Sequence, residues 1–247
     1  MKIAVFSDIH GNCFALDAML ADLQGEPVDR MVCLGDAIQG GPQPAQVVAR
    51  LRELGCPVVM GNADAWLLSG AETGAEQIPE ARMVKMNAVR EWHLSQLSEQ
   101  DQAFIAAFKP AVEAPLDGGR TLLCYHGSPG SFDDIILPVT PQDELAGYLD
   151  PQPHIVYTGG HTHVQFIRHM GRTFHFNPGS VGFAYRHDQP EGTFRADPWA
   201  EYALLTVDGE RVELTFRRAP YDAGELIDVY RSSGRPFADE AIADYGE

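Results

Sequence analysis

The 247-residue chain is short of cationic and sulfur-bearing side chains: 18 Lys and Arg stand against 35 Asp and Glu, with four cysteines. The resulting net charge of −17, uninterrupted by any basic cluster, repels polyanions and argues against a long nucleic acid as partner. Cys13, Cys33, Cys56 and Cys124 form no C-x-x-C pair, and each lies in or beside an apolar run. That spacing argues against a thiolate zinc site and predicts free thiols in a reducing compartment. No window of about 18 apolar residues occurs, so no membrane-spanning helix and no membrane partner are expected. Repeats and low-complexity tracts are absent too. With a first strand starting at Lys2, no secretory leader is expected, and the predicted location is cytoplasmic.

What is present is an ordinary globular composition, 45% apolar and 21% charged. The length suits one domain over 1–247 carrying an insertion. Lys2 to Phe6 is apolar and β-branched, and it runs into Ser7-Asp8-Ile9-His10-Gly11-Asn12. Polar chemistry therefore sits at the C-terminal end of a buried strand, the edge of an open α/β sheet where ligands collect. Asn12 is a plausible helix N-cap, followed at helical spacing by Leu16, Met19, Leu20 and Leu23. A second strand, Arg30 to Leu34, ends in Gly35-Asp36, and a helix bearing Val47, Val48, Leu51 and Leu54 follows. A third, Pro57 to Met60, ends in Gly61-Asn62. Three βα units thus each deliver a metal-capable side chain to one edge.

From 63 to about 116 the strand rhythm stops, and helices over 81–97 and 98–108 are predicted, the second opened by a capping box at Ser98 and Asp101. This helical insertion either overhangs the crevice or serves packing alone. Strand character returns at Thr121 to Tyr125, ending in His126-Gly127-Ser128-Pro129. A short helix near Thr140-Pro141 precedes the strand His154 to Thr158, which runs into Gly159-Gly160-His161-Thr162-His163. Hairpins are predicted around Gly171 and around Asp208-Gly209, with a long loop over 183–199 between them. A last helix spans about 222–233, and the acidic tail over about 238–247 is expected to be partly disordered.

Asp8, His10, Asp36, Asn62, His126, His161 and His163 are too many donors for one ion and suit two, bridged by Asp36, whose oxygens would each face one ion. The mixed oxygen and imidazole set points to divalent transition metals, with manganese first and zinc, iron or nickel as alternatives. Taken singly, any of these histidines could be structural and Asn62 could merely cap a helix. His93, His154, His169, His175 and His187 match no pattern and are assigned structural roles.

The order D-x-H, G-D, G-N, H and G-H-x-H resembles the calcineurin-like metallophosphoesterase superfamily, and Asn177-Pro178-Gly179-Ser180 resembles its small prokaryotic phosphodiesterase and phosphatase branch. The resemblance covers about Met1 to Phe216. It implies a four-layer α/β/β/α sandwich, one ion held by Asp8, His10, Asp36 and His163, and a second held by Asp36, Asn62, His126 and His161. It implies a phosphodiesterase or phosphatase acting on a small phosphorylated substrate, with a water bridging both ions as the nucleophile and Asp36, Asn62, His126 and His161 acting through it. Many members carry His immediately after the Asn to protonate the leaving oxygen; here that place is Ala63. Asp64 or His10 would have to serve instead, or the enzyme favours leaving groups that depart unaided. Hydrolysis of a dinucleoside polyphosphate, protein dephosphorylation and a non-catalytic metal-binding scaffold are the alternatives.

Overall fold

In the computed structural model, which describes residues 1–71, 78–190 and 192–246, strand β1 (Lys2–Phe6) lies between strands of both directions. It pairs in parallel with β2 (Arg30–Cys33) and antiparallel with β8 (Trp199–Asp208). β8 forms a long hairpin with β9 (Arg211–Pro220), completing a four-stranded sheet. Alternation along β1 sends Ile3 and Val5 to one face and Ala4 and Phe6 to the other, and all four are fully buried.

The Ala4 and Phe6 face is covered by α1 (Cys13–Asp22) and α2 (Pro44–Leu54) through Leu16, Met19, Val47, Val48 and Leu51. The Ile3 and Val5 face meets a five-stranded sheet of β3 (Val112–Pro115), β4 (Thr121–Cys124), β5 (Ile155–Thr158), β7 (Thr173–Pro178) and β6 (Gln165–Met170), in that order. Leu122, Cys124, Val156 and Phe176 fill the space between the sheets. On the outer face, α6 (Gln142–Leu149) packs Leu145 and Leu149 against Tyr125, Tyr157 and Phe166. The layers run helix, sheet, sheet, helix, as the resemblance implies.

Three expectations change. Pro57 to Met60 pairs only at single residues, Val58 with Cys33 at the end of β2 and Val59 with Lys109. The stretch from 63 to 116 is not wholly helical: α3 (Asn62–Ser69), α4 (Glu80–Gln96) and α5 (Glu99–Ala106) are followed by β3, which pairs antiparallel with β4. Positions 72–77 of that insertion, Glu191 of the long loop and Glu247 of the tail lie outside the described residues. The tail expected to be partly disordered instead forms α8 (Ala238–Ala243), whose Ile242 packs with Leu226, Ile227 and Tyr230 of α7 (Ala223–Ser233). The capping box of α5 is present as predicted, with Ser98 Oγ accepting from Asp101 N at 3.2 Å and Asp101 accepting from Ser98 N at 3.0 Å.

Candidate metal centre

The candidate ligands sit where the chain leaves its strands: Asp8 and His10 after β1, Asp36 after β2, His126 after β4, and His161 and His163 after β5. Asn62 is the first residue of α3. Among the described residues, seven non-glycine residues have positive φ, and five of them are Asp8 (56°), His10 (46°), Asp36 (49°), His161 (67°) and His163 (55°). Such backbone costs about 1 kcal/mol or more per residue and persists where the surroundings over-determine it. Here it is held by Asp8 N–H donating to Gly35 O and His10 N–H to Asp36 O, each at 2.9 Å.

All seven side chains converge, as two adjoining groups. Asp8, His10 and His163 form one; Asp36, His126 and His161 form the other, with donor atoms within 4.8 Å of one another in each. Asn62 Oδ1 joins the second at 3.0 Å from His126 Nε2. Asp36 links the two, but through one oxygen: Oδ1 accepts from Ala63 N–H at 2.8 Å, while Oδ2 lies 3.3 Å from His126 Nε2 and 3.9 Å from His10 Nε2. Where each oxygen was expected to face one ion, it is Oδ2 that lies near donors of both groups. None of the five histidines outside the pattern joins either group among the described residues.

The orientation of the rings is what fits these groups to cations. His10 Nδ1 donates to Gln39 O, His126 Nδ1 to Leu34 O and His163 Nδ1 to Phe183 O, each at 2.8 Å. A carbonyl only accepts, so each Nδ1 carries a hydrogen and each Nε2 is the nitrogen that faces inward, toward a cation or a proton. His10 Nε2 and His163 Nε2 then face each other at 3.1 Å. Asp8 Oδ1, buried without a hydrogen-bond partner, stands 3.2 Å from His163 Nε2. Lone pairs and a carboxylate so close repel unless a cation or proton lies among them. Burial opposes charge on His126, but Asp36 and Asp8 overrule it and hold it up at about 10. Burial likewise opposes charge on Asp36, and His126 overrules it, keeping that carboxyl well below its usual range.

Asp64 and His10, the two candidates for a leaving-group acid, are both engaged by backbone groups. Asp64 is fully buried, its two oxygens accepting from Ala37 N–H and Ile38 N–H, each at 3.0 Å, so it braces the Asp36 loop from below. His10 is occupied at both nitrogens, by Gln39 and by the first group.

Around the ligands several buried polar residues act as braces. Asn177 Nδ2 donates to Gly160 O at 2.6 Å and Thr162 Oγ1 at 3.1 Å, fixing the turn that carries His161 and His163. Ser180 Oγ donates to Asp8 O at 2.8 Å, and Asn12 caps α1 by accepting from Ala15 N–H at 3.1 Å. A Cβ at Gly61 would collide with the Asp36 carboxylate, and one at Gly160 with Ser7 and Asp8, so both positions require glycine. Sequence reasoning missed the carbonyls of Leu34, Gln39 and Phe183, which carry no side-chain signal. It also missed Phe183 itself, whose ring lies 6.1 Å from that of His163, and Arg235 on the crevice wall.

Comparison with known proteins agrees with this geometry. A model of the calcineurin-like phosphoesterase superfamily domain matches residues 1–209. Phosphodiesterase YfcE of Escherichia coli (strain K12) is 28% identical over 193 residues, covering 73% of this chain and 79% of YfcE. The crystal structure of a metallophosphoesterase from Sphaerobacter thermophilus aligns over 99% of this chain and 98% of that one, with 25% identity and a TM-score of 0.70. Hypothetical protein PH1004 from Pyrococcus horikoshii OT3 shares the fold, with a TM-score of 0.79 over 99% of this chain and 97% of its own at 21% identity. The matched span contains every residue of both donor groups, and the chain belongs to the calcineurin-like phosphoesterase superfamily of hydrolytic enzymes.

Proposed function

We propose that the chain is a dinuclear metal-dependent phosphoesterase acting on a small phosphodiester or phosphomonoester. The observation that carries this reading is the pair of donor groups, with three imidazoles locked as Nδ1–H tautomers and Asp36 Oδ2 between them. Asp8, His10, Asp36 and His163 would hold one ion, and Asp36, Asn62, His126 and His161 the other. The mixed oxygen and imidazole donors suit manganese, zinc, iron or nickel, and manganese is the ion we assign first. Bound divalent cations supply a water of lowered pKa and neutralise charge on the phosphoryl oxygens.

The protein's own part is placement. Ala63 N–H holds Asp36 Oδ1 aside so that Oδ2 faces both groups, and the backbone carbonyls aim the imidazoles. The crevice above them is about 360 Å3, enough for a small substrate. Four free thiols, three of them buried, fit a reducing cytoplasm.

The two positions that follow Asn62 supply no acid for a leaving oxygen: Ala63 bears a methyl group and Asp64 faces the interior. Aryl phosphodiesters and phosphoanhydrides, which leave as stable anions, should therefore be preferred to alkyl phosphomonoesters. The test is turnover of a leaving-group series by the manganese-loaded protein beside Asp36→Asn. Asp36→Asn is expected to lose roughly 100-fold or more in kcat/KM together with bound manganese. Full activity in that variant would sink the metal reading, and alkyl monoesters turned over as fast as aryl diesters would sink the leaving-group preference.

A further inference from the structure

One wall of the crevice comes from neither donor group. Tyr230 of α7, Ala241 of α8, and Arg235 and Asp244 beside them line the same cavity as His10, Asp36 and Asn62. Arg235 follows Gly234, the left-handed residue that ends α7, and lies beyond the span that carries the family match. Its Nε donates to Gly40 O at 2.7 Å, and its Nη1 donates to Pro236 O at 2.9 Å and Phe237 O at 3.4 Å. Its guanidinium stands 5.6 Å from the centroid of the Tyr230 ring. Every one of these partners is neutral.

Among the described residues no carboxylate forms an ion pair with Arg235, and its Nη2 has no protein acceptor. Glu240, the nearest acidic residue of α8 to engage a cation, is taken by Lys85 at 2.5 Å. Asp244 faces the same cavity without reaching ion-pair distance of Arg235; burial raises its pKa against the pull of Arg235, and the charge of Glu240 adds to the rise. A half-buried guanidinium hydrogen-bonded only to carbonyls, with Asp244 and Glu240 acting on it through space rather than in contact, keeps donors and charge that an incoming anion would complete. Its place is set by Gly40, whose backbone approaches so closely that a Cβ there would come within 3.2 Å of His10 Cβ. The cation thus stands on the Asp8, His10 and His163 side of the crevice, in a chain where basic residues number only 18.

We infer that Arg235 is a specificity-determining residue that binds a second phosphate of the substrate, so that compounds bearing two adjacent phosphates, phosphoanhydrides among them, are preferred. This rests on the phosphoesterase reading above and narrows it. Arginine does not release its proton at any working pH, so its contribution is to neutralise charge on a second phosphate and, in an anhydride, on the departing one. That role is consistent with a site lacking a proton donor at position 63.

The test is calorimetric binding of AMP and ADP, which differ by one phosphate, to the protein in saturating manganese, for the wild type, Arg235→Met and Arg235→Lys. Manganese binding and the unfolding midpoint are measured for each. The wild type is expected to prefer ADP by about tenfold or more, Arg235→Met to reduce that preference to near unity with AMP affinity unchanged, and Arg235→Lys to retain part of it. Equal weakening of both nucleotides, an unaltered preference, no ADP preference in the wild type, or loss of manganese from Arg235→Met would each overturn the inference, the last by making Arg235 a brace for the His10 loop. If Arg235→Met does not fold, the wild-type preference and Arg235→Lys decide alone. A wild type that binds no manganese overturns the phosphoesterase reading instead.

Discussion

His93 matches no metal pattern, yet it joins the helical insertion to the crevice. Fully buried on α4, its Nδ1 lies 2.7 Å from Val89 O and its Nε2 lies 2.9 Å from Gly41 O, beside the loop whose Gln39 carbonyl aims His10. Burial pushes its pKa down from 6.5 to about 4, against the two carbonyls. The ring is therefore neutral in the fold where the unfolded chain carries a proton, and between those values the unfolded state binds more protons. Stability should fall by about 3 kcal/mol as pH drops from 6.5 to about 4, and urea midpoints at the two ends should show it. His175, pushed down to about 3 by burial, adds a slope of the same sign, so the diagnostic is a flatter profile in His93→Gln than in the wild type. At this scale the ligands were legible, because a carboxylate or imidazole at a strand end is a chemical statement in itself. What aims them was not: a carbonyl is the same in every residue, and only the fold decides which one faces a ring.

The helices show how far local pattern reaches. Ser98 and Asp101 declare the start of α5 through their own hydrogen bonds, which need no tertiary partner. α8 is different: six residues, acidic in its first turn, too short to hold itself in water. Its stability comes from Ile242, 5% exposed, against Leu226, Ile227 and Tyr230. Ile242→Ala should cost about 2 kcal/mol or more, expressed as local opening of α7 and α8. Hydrogen exchange should then show protection lost over 223–243 and kept in β1 and β8. A composition dominated by Asp, Glu and Ala reads as a solvated tail, and the error arises because burial of one isoleucine outweighs it.

For the molecule as a whole, two sheets press their apolar faces together and deliver both donor groups, two carboxylates and four imidazoles, to one edge. Cations that bind the folded chain alone stabilise it by mass action, about 2.7 kcal/mol at 100 times the dissociation constant. Manganese is expected to raise the unfolding temperature by about 5–10 °C and a chelator to reverse it. Asp36→Asn should lose most of that shift, because Oδ2 serves both groups. An equal shift in that variant would mean that manganese acts elsewhere on this acidic surface.

From the chain alone came most of the strands, the capping box and the seven donors, since each rests on periodicity or on the chemistry of a side chain at a turn. Only the tertiary structure decided that Asp36 turns Oδ2 toward both donor groups, that Asp64 faces inward, that the tail becomes a helix and that Arg235 overlooks the crevice. Those outcomes depend on distances between residues far apart in sequence, such as Arg235 and Gly40, and such distances exist only after the sheets have packed.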